Sequence, residues 1–279
     1  MKIPHISGSF LVLAGAVCWS LNSPFVKYLT LDPLLICALR SLIAACVLLP
    51  FLRPKKIHWN GWLLLYCLCY LGLCLSVIIS LTMTSAAIAV GMQYTASIWL
   101  FLLATIHTKH FNSHLFLPIA VIMAGVLFFM GSGGSGDSDT EGNMIALTEG
   151  LFFAGMSIAS SRAASENALG LTALGNIFIA LLLFTCIPST GAALPLITAR
   201  DWMIMIILGV VQVAGGYGLF NLGIQRISAQ KASVLALWEM ILGPLWVALF
   251  LGLYPNPEVL TGFGIILFGI LMDSRMNRA

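Results

Sequence analysis

Residues 131–142 read GSGGSGDSDTEG, a polar and acidic stretch in the middle of an otherwise apolar chain. Its glycines and serines are typical of a flexible linker. A phosphate-binding loop is a poor interpretation, because no strand is predicted before it and no Lys-Ser/Thr pair follows it. Long apolar segments lie on both sides, five before it and five after it. The stretch therefore predicts a chain divided into two halves of similar length.

The composition around this linker excludes an ordinary soluble domain. Of the 279 residues, 60% are hydrophobic and 8% are charged, and the mean hydropathy is +1.02. Soluble domains carry about 25% charged residues, whereas lipid accepts an apolar exterior. A hydrocarbon layer about 30 Å thick needs roughly 20 apolar residues per helix, so ten helices use nearly the whole chain. We predict an all-α integral membrane protein with ten transmembrane helices.

The predicted spans fill both halves of the chain. In the first half they cover residues 9–28, 33–52, 61–81, 84–106 and 115–130. In the second half they cover residues 144–163, 171–188, 202–223, 228–251 and 258–272. The first span has no small-residue cleavage site, so we do not interpret it as a signal peptide. We assign residues 1–132 to a first repeat, 133–142 to an extracytoplasmic linker and 143–279 to a second repeat.

The distribution of charge predicts the orientation. Cytoplasmic loops of membrane proteins hold an excess of Lys and Arg. With the N-terminus inside, ten basic residues fall in inside segments: Lys2, Arg53, Lys55, Lys56, Lys109, Arg162, Arg226, Lys231, Arg275 and Arg278. Only Lys27 and Arg200 fall outside. We therefore expect a multi-pass protein of the cytoplasmic membrane with both termini in the cytoplasm. The net charge of +3, without a basic tail, gives no sign of a nucleic-acid partner.

The two halves resemble each other. Trp19 and Lys27 are separated by the same spacing as Ala154 and Arg162, and the fourth and ninth spans open with TSAA at 84–87 and ISAQ at 227–230. An odd number of helices per half places the second copy upside down in the membrane. This predicts an inverted-topology repeat, an architecture that many secondary transporters use for alternating access. Channels share such repeats, so the pattern indicates architecture better than mechanism.

These motifs resemble the EamA family of the drug/metabolite transporter superfamily. The resemblance rests on WSLN at 19–22 followed by Lys27, on Arg40 in ALRS, on the TSAA and ISAQ openings, and on LWE at 237–239 followed by GPLW at 243–246. The chain departs from the family where Met240 follows Glu239 in place of Pro. The matching pair in the first half is Ala96-Ser97. The resemblance implies two five-helix repeats, a central cavity lined by helices one to four and six to nine, and transport of amino acids, nucleosides, amines or related metabolites.

Arg40, Glu149 and Glu239 lie away from the ends of the predicted spans, where charge is costly and usually faces a cavity or a partner. We expect Glu239 to line a cavity and to bind substrate or exchange a proton; the alternative is a structural pair, for example with Arg40. Glu149 is either cavity-facing or directed back to outside water. We expect Arg40 to hold neighbouring helix ends together, with forked binding of a substrate carboxylate as the alternative.

Polar and aromatic residues within the spans complete the candidate site. Each is either a substrate contact or ordinary helix packing. Trp19 and Asn22 share a face, as do Glu149, Phe153 and Ser157. We select as substrate-binding candidates Trp19, Asn22, Tyr94, Phe153, Ser157, Tyr217, Asn221, Trp238 and Glu239. The aromatic members of this set would also suit a quaternary ammonium ion through cation–π attraction.

The function predicted from these residues is secondary transport of a small polar or amphipathic metabolite, an amino acid, amine or nucleoside-like molecule. The partners are the lipid bilayer, the substrate and either a proton or a counter-substrate. One alternative is uptake of a choline-type ammonium ion. An alternative from another class is a membrane-embedded enzyme or a scaffold, which the lack of an intramembrane His disfavours. We expect no metal or cofactor, because the cysteine spacing does not form a zinc motif.

Overall fold

The computed structural model describes residues 7–109, 113–131, 140–163, 167–187, 196–224, 226–227 and 229–276, and every regular element in these ranges is helical. The helices of the first half are α1 (Gly8–Ser20), α2 (Asn22–Tyr28), α3 (Pro33–Leu48), α4 (Gly61–Met83), α5 (Ala86–Gln93), α6 (Ala96–Thr108) and α7 (Ser113–Gly131). Short 3₁₀ turns at Leu49–Phe51 and Pro54–Lys56 connect α3 to α4.

The helices of the second half are α8 (Thr140–Ala163), α9 (Ala168–Cys186), α10 (Ala199–Ile206), α11 (Gly216–Ile224), α12 (Ala229–Leu251) and α13 (Pro257–Met276). A π-helical segment, Ile207–Gly215, joins α10 to α11 without a break. Helix α8 begins at Thr140, so the last three residues of the predicted linker are helical. The Glu141 carboxylate in its first turn favours this start, because a negative charge stabilises a helix N-terminus.

Seven helical stretches within the described ranges are long and apolar enough to cross a membrane. They are Gly8–Tyr28, Pro33–Phe51, Gly61–Met83, Ala86–Leu103, Thr140–Ser160, Ala168–Cys186 and Ala199–Phe220. Shorter apolar stretches, Phe116–Phe128 and Leu235–Leu251, occur in α7 and α12. The chain is therefore a multi-pass helical membrane protein, and the number of ten crossings stays a prediction.

Large apolar side chains cover much of the outer surface. Ile106 is 73% exposed, and Leu181 and Phe250 are each 66% exposed. Exposing this apolar surface to water would be costly, because apolar area is stabilised when it is removed from water. Contact with lipid acyl chains carries no such cost. The exterior is therefore suited to lipid, and polar side chains are concentrated inside.

The first predicted span is interrupted in its middle. Helix α1 ends at Ser20 and α2 begins at Asn22, and the Leu21 N–H donates to the Cys18 carbonyl in a tight turn. Pro24 has no N–H to donate to the Ser20 carbonyl, so regular α-helical bonding cannot run through this point. The interruption brings Trp19 and Asn22 to the interior, where both are buried.

The fourth predicted span is also interrupted, between α5 and α6. Tyr94 and Thr95 separate the two helices, and the Thr95 hydroxyl donates to the Met92 carbonyl at 2.7 Å. A side chain that bonds to the backbone of its own helix competes with the regular helical pattern. The interruption turns the Tyr94 side chain towards α12, which sets up one of the contacts of the site described below.

The helices of the two halves pack in matching ways. Helix α4 of the third span packs along α8 of the sixth span. Exchanging the halves turns the third and sixth spans into the eighth and first, and α11 of the eighth span does pack along α1 of the first. Helices α5 and α6 pack on α8 as α12 packs on α1 and α2. The remaining major pairs, α3 with α9 and α7 with α13, join corresponding spans to each other. Exchanging the halves leaves this packing pattern unchanged, as expected for two copies of one five-span unit.

Candidate functional site

A central cavity lies where the interrupted and π-helical segments meet. Both halves of the chain line it: α1–α2, α3, α4 and α5 from the first, and α8, the π-helical segment, α11 and α12 from the second. The lining residues are Trp19, Asn22, Arg40, Leu73, Cys74, Val77, Gln93, Phe153, Gln212, Val213, Tyr217 and Glu239. In this conformation the cavity has room for about two water molecules. A larger molecule therefore needs the surrounding helices to move apart before it can enter.

Arg40 carries the positive charge of the cavity. Its side chain is 3% exposed. Nη1 donates to Asn22 Oδ1 at 2.8 Å and to Gln212 Oε1 at 3.4 Å, and Nη2 donates to the Cys74 carbonyl at 3.3 Å. These partners belong to three different helical elements and all are neutral, and Nε has no hydrogen-bond partner. The guanidinium thus joins helices, as expected for a structural role, while its charge has no acidic partner within the described residues.

Glu239 brings a carboxyl group to the cavity. It is 8% exposed and lies on α12. Its Oε2 is 3.1 Å from the Tyr94 hydroxyl, which also donates to the Ala236 carbonyl at 2.8 Å. The structural pair with Arg40, which is the alternative interpretation of Glu239, is not formed: the hydrogen-bond partners of both side chains within the described residues are neutral. The cavity therefore contains two buried ionisable groups, a guanidinium and a carboxyl group, that do not pair with each other directly.

Aromatic rings form one wall of the cavity. The Trp19 ring centroid lies 5.0 Å from that of Tyr217 and 4.7 Å from that of Phe220, and the Tyr70 ring meets Tyr217 edge-on at 5.4 Å. Gly216 makes room for the indole: a Cβ at this position would lie 2.5 Å from Trp19 Cδ1. The lack of a side chain at position 216 therefore allows the Trp19 indole to occupy this place.

Glu149 occupies a separate buried position beside the cavity. It is fully buried on α8, the Ser80 hydroxyl donates to its Oε1 at 2.6 Å, and its Oε2 has no hydrogen-bond partner. It does not line the cavity, but it lies within electrostatic range of Glu239. Glu149 therefore takes neither of the two positions left open by the sequence, facing the cavity or reaching back to outside water, and its carboxyl group lies between α4 and α8.

Comparison with protein families decides the classification. The model of the EamA-like transporter family matches the chain twice, over residues 6–131 and 140–274. The chain belongs to this family. The resemblance seen in the sequence motifs is thereby confirmed, and the two matches correspond to two EamA repeats. No match was found among curated proteins.

A solved structure shares the fold of this chain. A protein of known crystal structure is similar to this chain with a TM-score of 0.67 and 15% sequence identity, and the match covers 97% of this chain and 98% of the other. At this identity the likeness concerns the fold alone. The overall fold of the chain therefore also occurs in an experimentally determined structure.

The fold brings together six of the residues selected from the sequence. Trp19, Asn22, Arg40, Phe153, Tyr217 and Glu239 all line the same cavity between the EamA repeats. Tyr94 does not line the cavity, but its hydroxyl contacts the Glu239 carboxyl group. The Ser157 hydroxyl donates to the Phe153 carbonyl at 2.7 Å, within its own helix, and Ser157 does not line the cavity. The side chain of Asn221 lies outside the described part of the structure.

Trp238 is placed differently from the prediction. It is 46% exposed and does not line the cavity. Neighbouring positions of a helix point about 100° apart, so when Glu239 faces inward Trp238 faces the exterior. An aromatic cage that includes Trp238 is therefore not formed in this structure, and the aromatic wall consists of Trp19 and Tyr217 with Phe153 as a further lining residue.

Two amides complete the polar lining although they were not among the selected residues. Gln93 lies at the end of α5, and Gln212 lies in the π-helical segment and accepts from Arg40. The sequence feature that could have indicated both residues is a long polar side chain midway along an apolar span. Leu73, Val77 and Val213 supply an apolar part of the EamA cavity, and no sequence signal separates them from ordinary membrane-helix residues.

Proposed function

We propose that this protein is a secondary transporter that moves a small polar or amphipathic metabolite across the cytoplasmic membrane by alternating access. One observation carries the proposal: a buried cavity between the two EamA repeats contains Arg40 from the first half and Glu239 from the second. Burying an ionised group in a protein costs on the order of several kcal/mol, even after the surrounding protein has relaxed. Membrane proteins retain such groups mainly on substrate and ion pathways.

The proposed mechanism uses the repeat architecture. Ten helices form two inverted five-helix repeats, residues 1–132 and 143–279, joined by an extracytoplasmic linker, and both termini lie in the cytoplasm. Rocking of one repeat against the other opens the cavity to each side in turn. The interruptions at Leu21 and at Tyr94–Thr95 are suitable points for this movement, since a broken helix bends at lower cost than a continuous one.

Coupling to a proton or to a counter-substrate completes the proposal. Glu239 at the cavity and Glu149 beside it are buried carboxyl groups that can gain or lose a proton in this role. A choline-type cation is the second candidate substrate, favoured by the aromatic wall of Trp19 and Tyr217 next to Glu239. Counterflow of labelled choline distinguishes this candidate directly.

The deciding experiment is flux in proteoliposomes. Purified protein is reconstituted, loaded with a mixture of unlabelled amino acids, amines and nucleosides, and diluted into each labelled compound in turn. Transport predicts transient accumulation of at least one label, which Glu239→Gln reduces. Chemical turnover of a compound without any flux would indicate the membrane-embedded enzyme instead, and a scaffold would show neither.

A further inference from the structure

We propose that the loop between α3 and α4, together with the end of α8, binds the anionic headgroup of a membrane phospholipid. Five basic residues form this surface, which is called the basic seam: Arg53, Lys55, Lys56, His58 and Arg162. The first four belong to the first half of the chain, and Arg162 belongs to the second half. None of them lines the central cavity, so lipid binding at the basic seam does not depend on the proposed transport function.

The loop between α3 and α4 is held in a defined conformation by its own hydrogen bonds. The Lys56 N–H donates to the Arg53 carbonyl at 2.9 Å, and the Ile57 N–H donates to the Pro54 carbonyl at 3.3 Å. The Trp59 indole N–H donates to the same Pro54 carbonyl at 3.1 Å, and the Ile57 side chain is buried. The basic side chains of the loop are therefore carried on a fixed backbone, and a ligand that binds them pays little for ordering the loop.

Two contacts attach this loop and the start of α4 to the second half of the chain. The His58 N–H donates to the Ala163 carbonyl at 3.0 Å. Arg162 precedes Ala163, and its guanidinium carbon lies 4.4 Å from the centroid of the Trp62 ring, in a cation–π contact. Trp62 belongs to the first turn of α4. The hydrogen bond from His58 therefore brings basic residues of both halves to the same place on the surface.

The basic seam has an excess of positive charge. Residues 49–61 and 162–167 together contain four Lys or Arg side chains and one acid, Glu166. The side chains of Arg53 and Arg162 are exposed. Like charges that are held close together repel each other, and an anion placed among them relieves this repulsion. Clusters of basic residues directly beside a membrane-crossing helix bind anionic lipid in this way.

Apolar side chains beside the basic seam favour a lipid over a soluble anion. The loop lies directly between the membrane-crossing stretches that end at Phe51 and begin at Gly61. Phe51 and Trp59, near the two ends of the loop, are more than half exposed, and exposed Trp beside basic residues is typical of the headgroup level of a bilayer. Leu64 and Leu68 are exposed on one face of α4. A phospholipid can therefore place its phosphate at the basic seam and an acyl chain along α4.

The equivalent connection of the second half lacks this charge. Residues 187–198, between α9 and α10, contain no Lys, Arg, Asp or Glu. At the start of α10 the guanidinium carbon of Arg200 lies 4.5 Å from the centroid of the Tyr28 ring, but Asp201 follows Arg200 directly and balances its charge. The charge of the basic seam therefore belongs to one connection and is not a requirement of the repeated fold.

The test is stabilisation of the purified full-length protein by lipid in an uncharged detergent. Phosphatidylglycerol, phosphatidylcholine with the same acyl chains, and glycerol 3-phosphate are added separately, and thermal unfolding is followed. A ligand that binds only the folded protein raises the melting temperature. We expect phosphatidylglycerol to raise it and the other two compounds to leave it unchanged at equal concentration. An equal rise with phosphatidylcholine would overturn the role of charge, and an equal rise with glycerol 3-phosphate would overturn the lipid as the ligand.

The double variant Arg53→Gln/Lys55→Gln removes two charges of the loop. Both side chains are exposed, and the backbone bonds of the loop remain. A basic residue beside the membrane contributes roughly fivefold to the binding of anionic lipid, so we expect phosphatidylglycerol to bind about 25-fold more weakly in a lipid titration of the melting temperature. Arg53→Lys/Lys55→Arg keeps both charges and should bind like the unaltered protein. If the charges only set the topology of the chain, the Gln variant binds as tightly as the unaltered protein, and the proposal is overturned.

Arg162→Gln tests the contribution of the second half. We expect phosphatidylglycerol to bind about fivefold more weakly to this variant. Arg200→Gln is the matched control, because it also loses a cation–π contact, with Tyr28, but lies outside the basic seam. Equal affinity for phosphatidylglycerol in the two variants would overturn a site that joins both halves. If Arg162→Gln does not fold, Arg53→Gln/Lys55→Gln decides.

Discussion

The hydroxyl oxygen of Tyr94 lies 3.1 Å from Oε2 of Glu239 and 2.8 Å from the carbonyl oxygen of Ala236. A phenol has one proton and a carbonyl can only accept, so Tyr94 cannot donate fully to both. When Tyr94 donates to Ala236, Glu239 bonds to Tyr94 only if it carries a proton itself. An ionised Glu239 instead competes with Ala236 for the phenol proton. The contact therefore links the protonation of Glu239 to the packing of the α5–α6 interruption against α12.

Glu239→Gln is expected to reduce flux by about tenfold or more without unfolding the protein. Glutamine has nearly the same volume and keeps an oxygen that accepts from Tyr94, but it cannot hold a charge or exchange a proton. Counterflow across a pH series and thermal unfolding of the purified variant measure the two effects separately. Normal flux with an unchanged pH dependence would refute the role assigned to this carboxyl group.

Tyr94→Phe removes the hydroxyl that joins Glu239 to the Ala236 carbonyl. We expect a loss of about 1 kcal/mol in the free energy of unfolding, the usual contribution of one hydrogen bond, together with a shifted pH dependence of flux. Tyr254→Phe is the control, because Tyr254 is 77% exposed. If both variants behave like the unaltered protein, the Tyr94 contact has no part in transport.

The sequence predicts well where the helices of this fold lie along the chain. It predicts poorly which side of each helix faces the interior. Span positions follow from hydropathy, because each crossing needs a long apolar run. A helix that is apolar all round gives no periodic signal of its inward face, so Trp238 and Glu239 were selected together although only Glu239 faces the cavity. Trp19 and Asn22 line one cavity although the helix is interrupted between them, so helical spacing alone does not explain their shared position.

Contacts between the repeats could not be predicted from local patterns. The bond between Ser80 and Glu149 joins residues 69 positions apart, and the bond between Arg40 and Gln212 joins residues 172 apart. Neither residue of a pair indicates its partner in the sequence. The interruption at Tyr94–Thr95 was missed as well, because it contains no proline or glycine and depends on the bond from Thr95 to Met92.

Gly216→Ala tests whether the position of Trp19 matters. A methyl group at 216 would lie 2.5 Å from Trp19 Cδ1 and 2.6 Å from Nε1, so the indole must move. We expect a loss of about 1–3 kcal/mol in stability, as for other overpacked sites, and a marked fall in flux. Gly264→Ala is the matched control: nothing lies within 4 Å of its Cβ position, so helix propensity should raise stability by up to ~1 kcal/mol. Unchanged flux in Gly216→Ala would show that the Trp19 wall is not part of the pathway.

Glu149→Gln is expected to separate coupling from substrate movement. Glutamine keeps an oxygen that accepts from Ser80, so stability should change by about 1 kcal/mol or less, but it cannot carry a proton. Glu149 lies within electrostatic range of Glu239, and simultaneous ionisation of two nearby carboxyl groups is unfavourable; a proton on one therefore depends on the state of the other. We expect accumulation driven by an imposed pH gradient to be lost while counterflow persists. Ser80→Ala, which removes the hydroxyl and keeps the carboxyl group, should retain gradient-driven accumulation. A Glu149→Gln protein that still accumulates substrate against its gradient would show that this acid only packs α8 against α4.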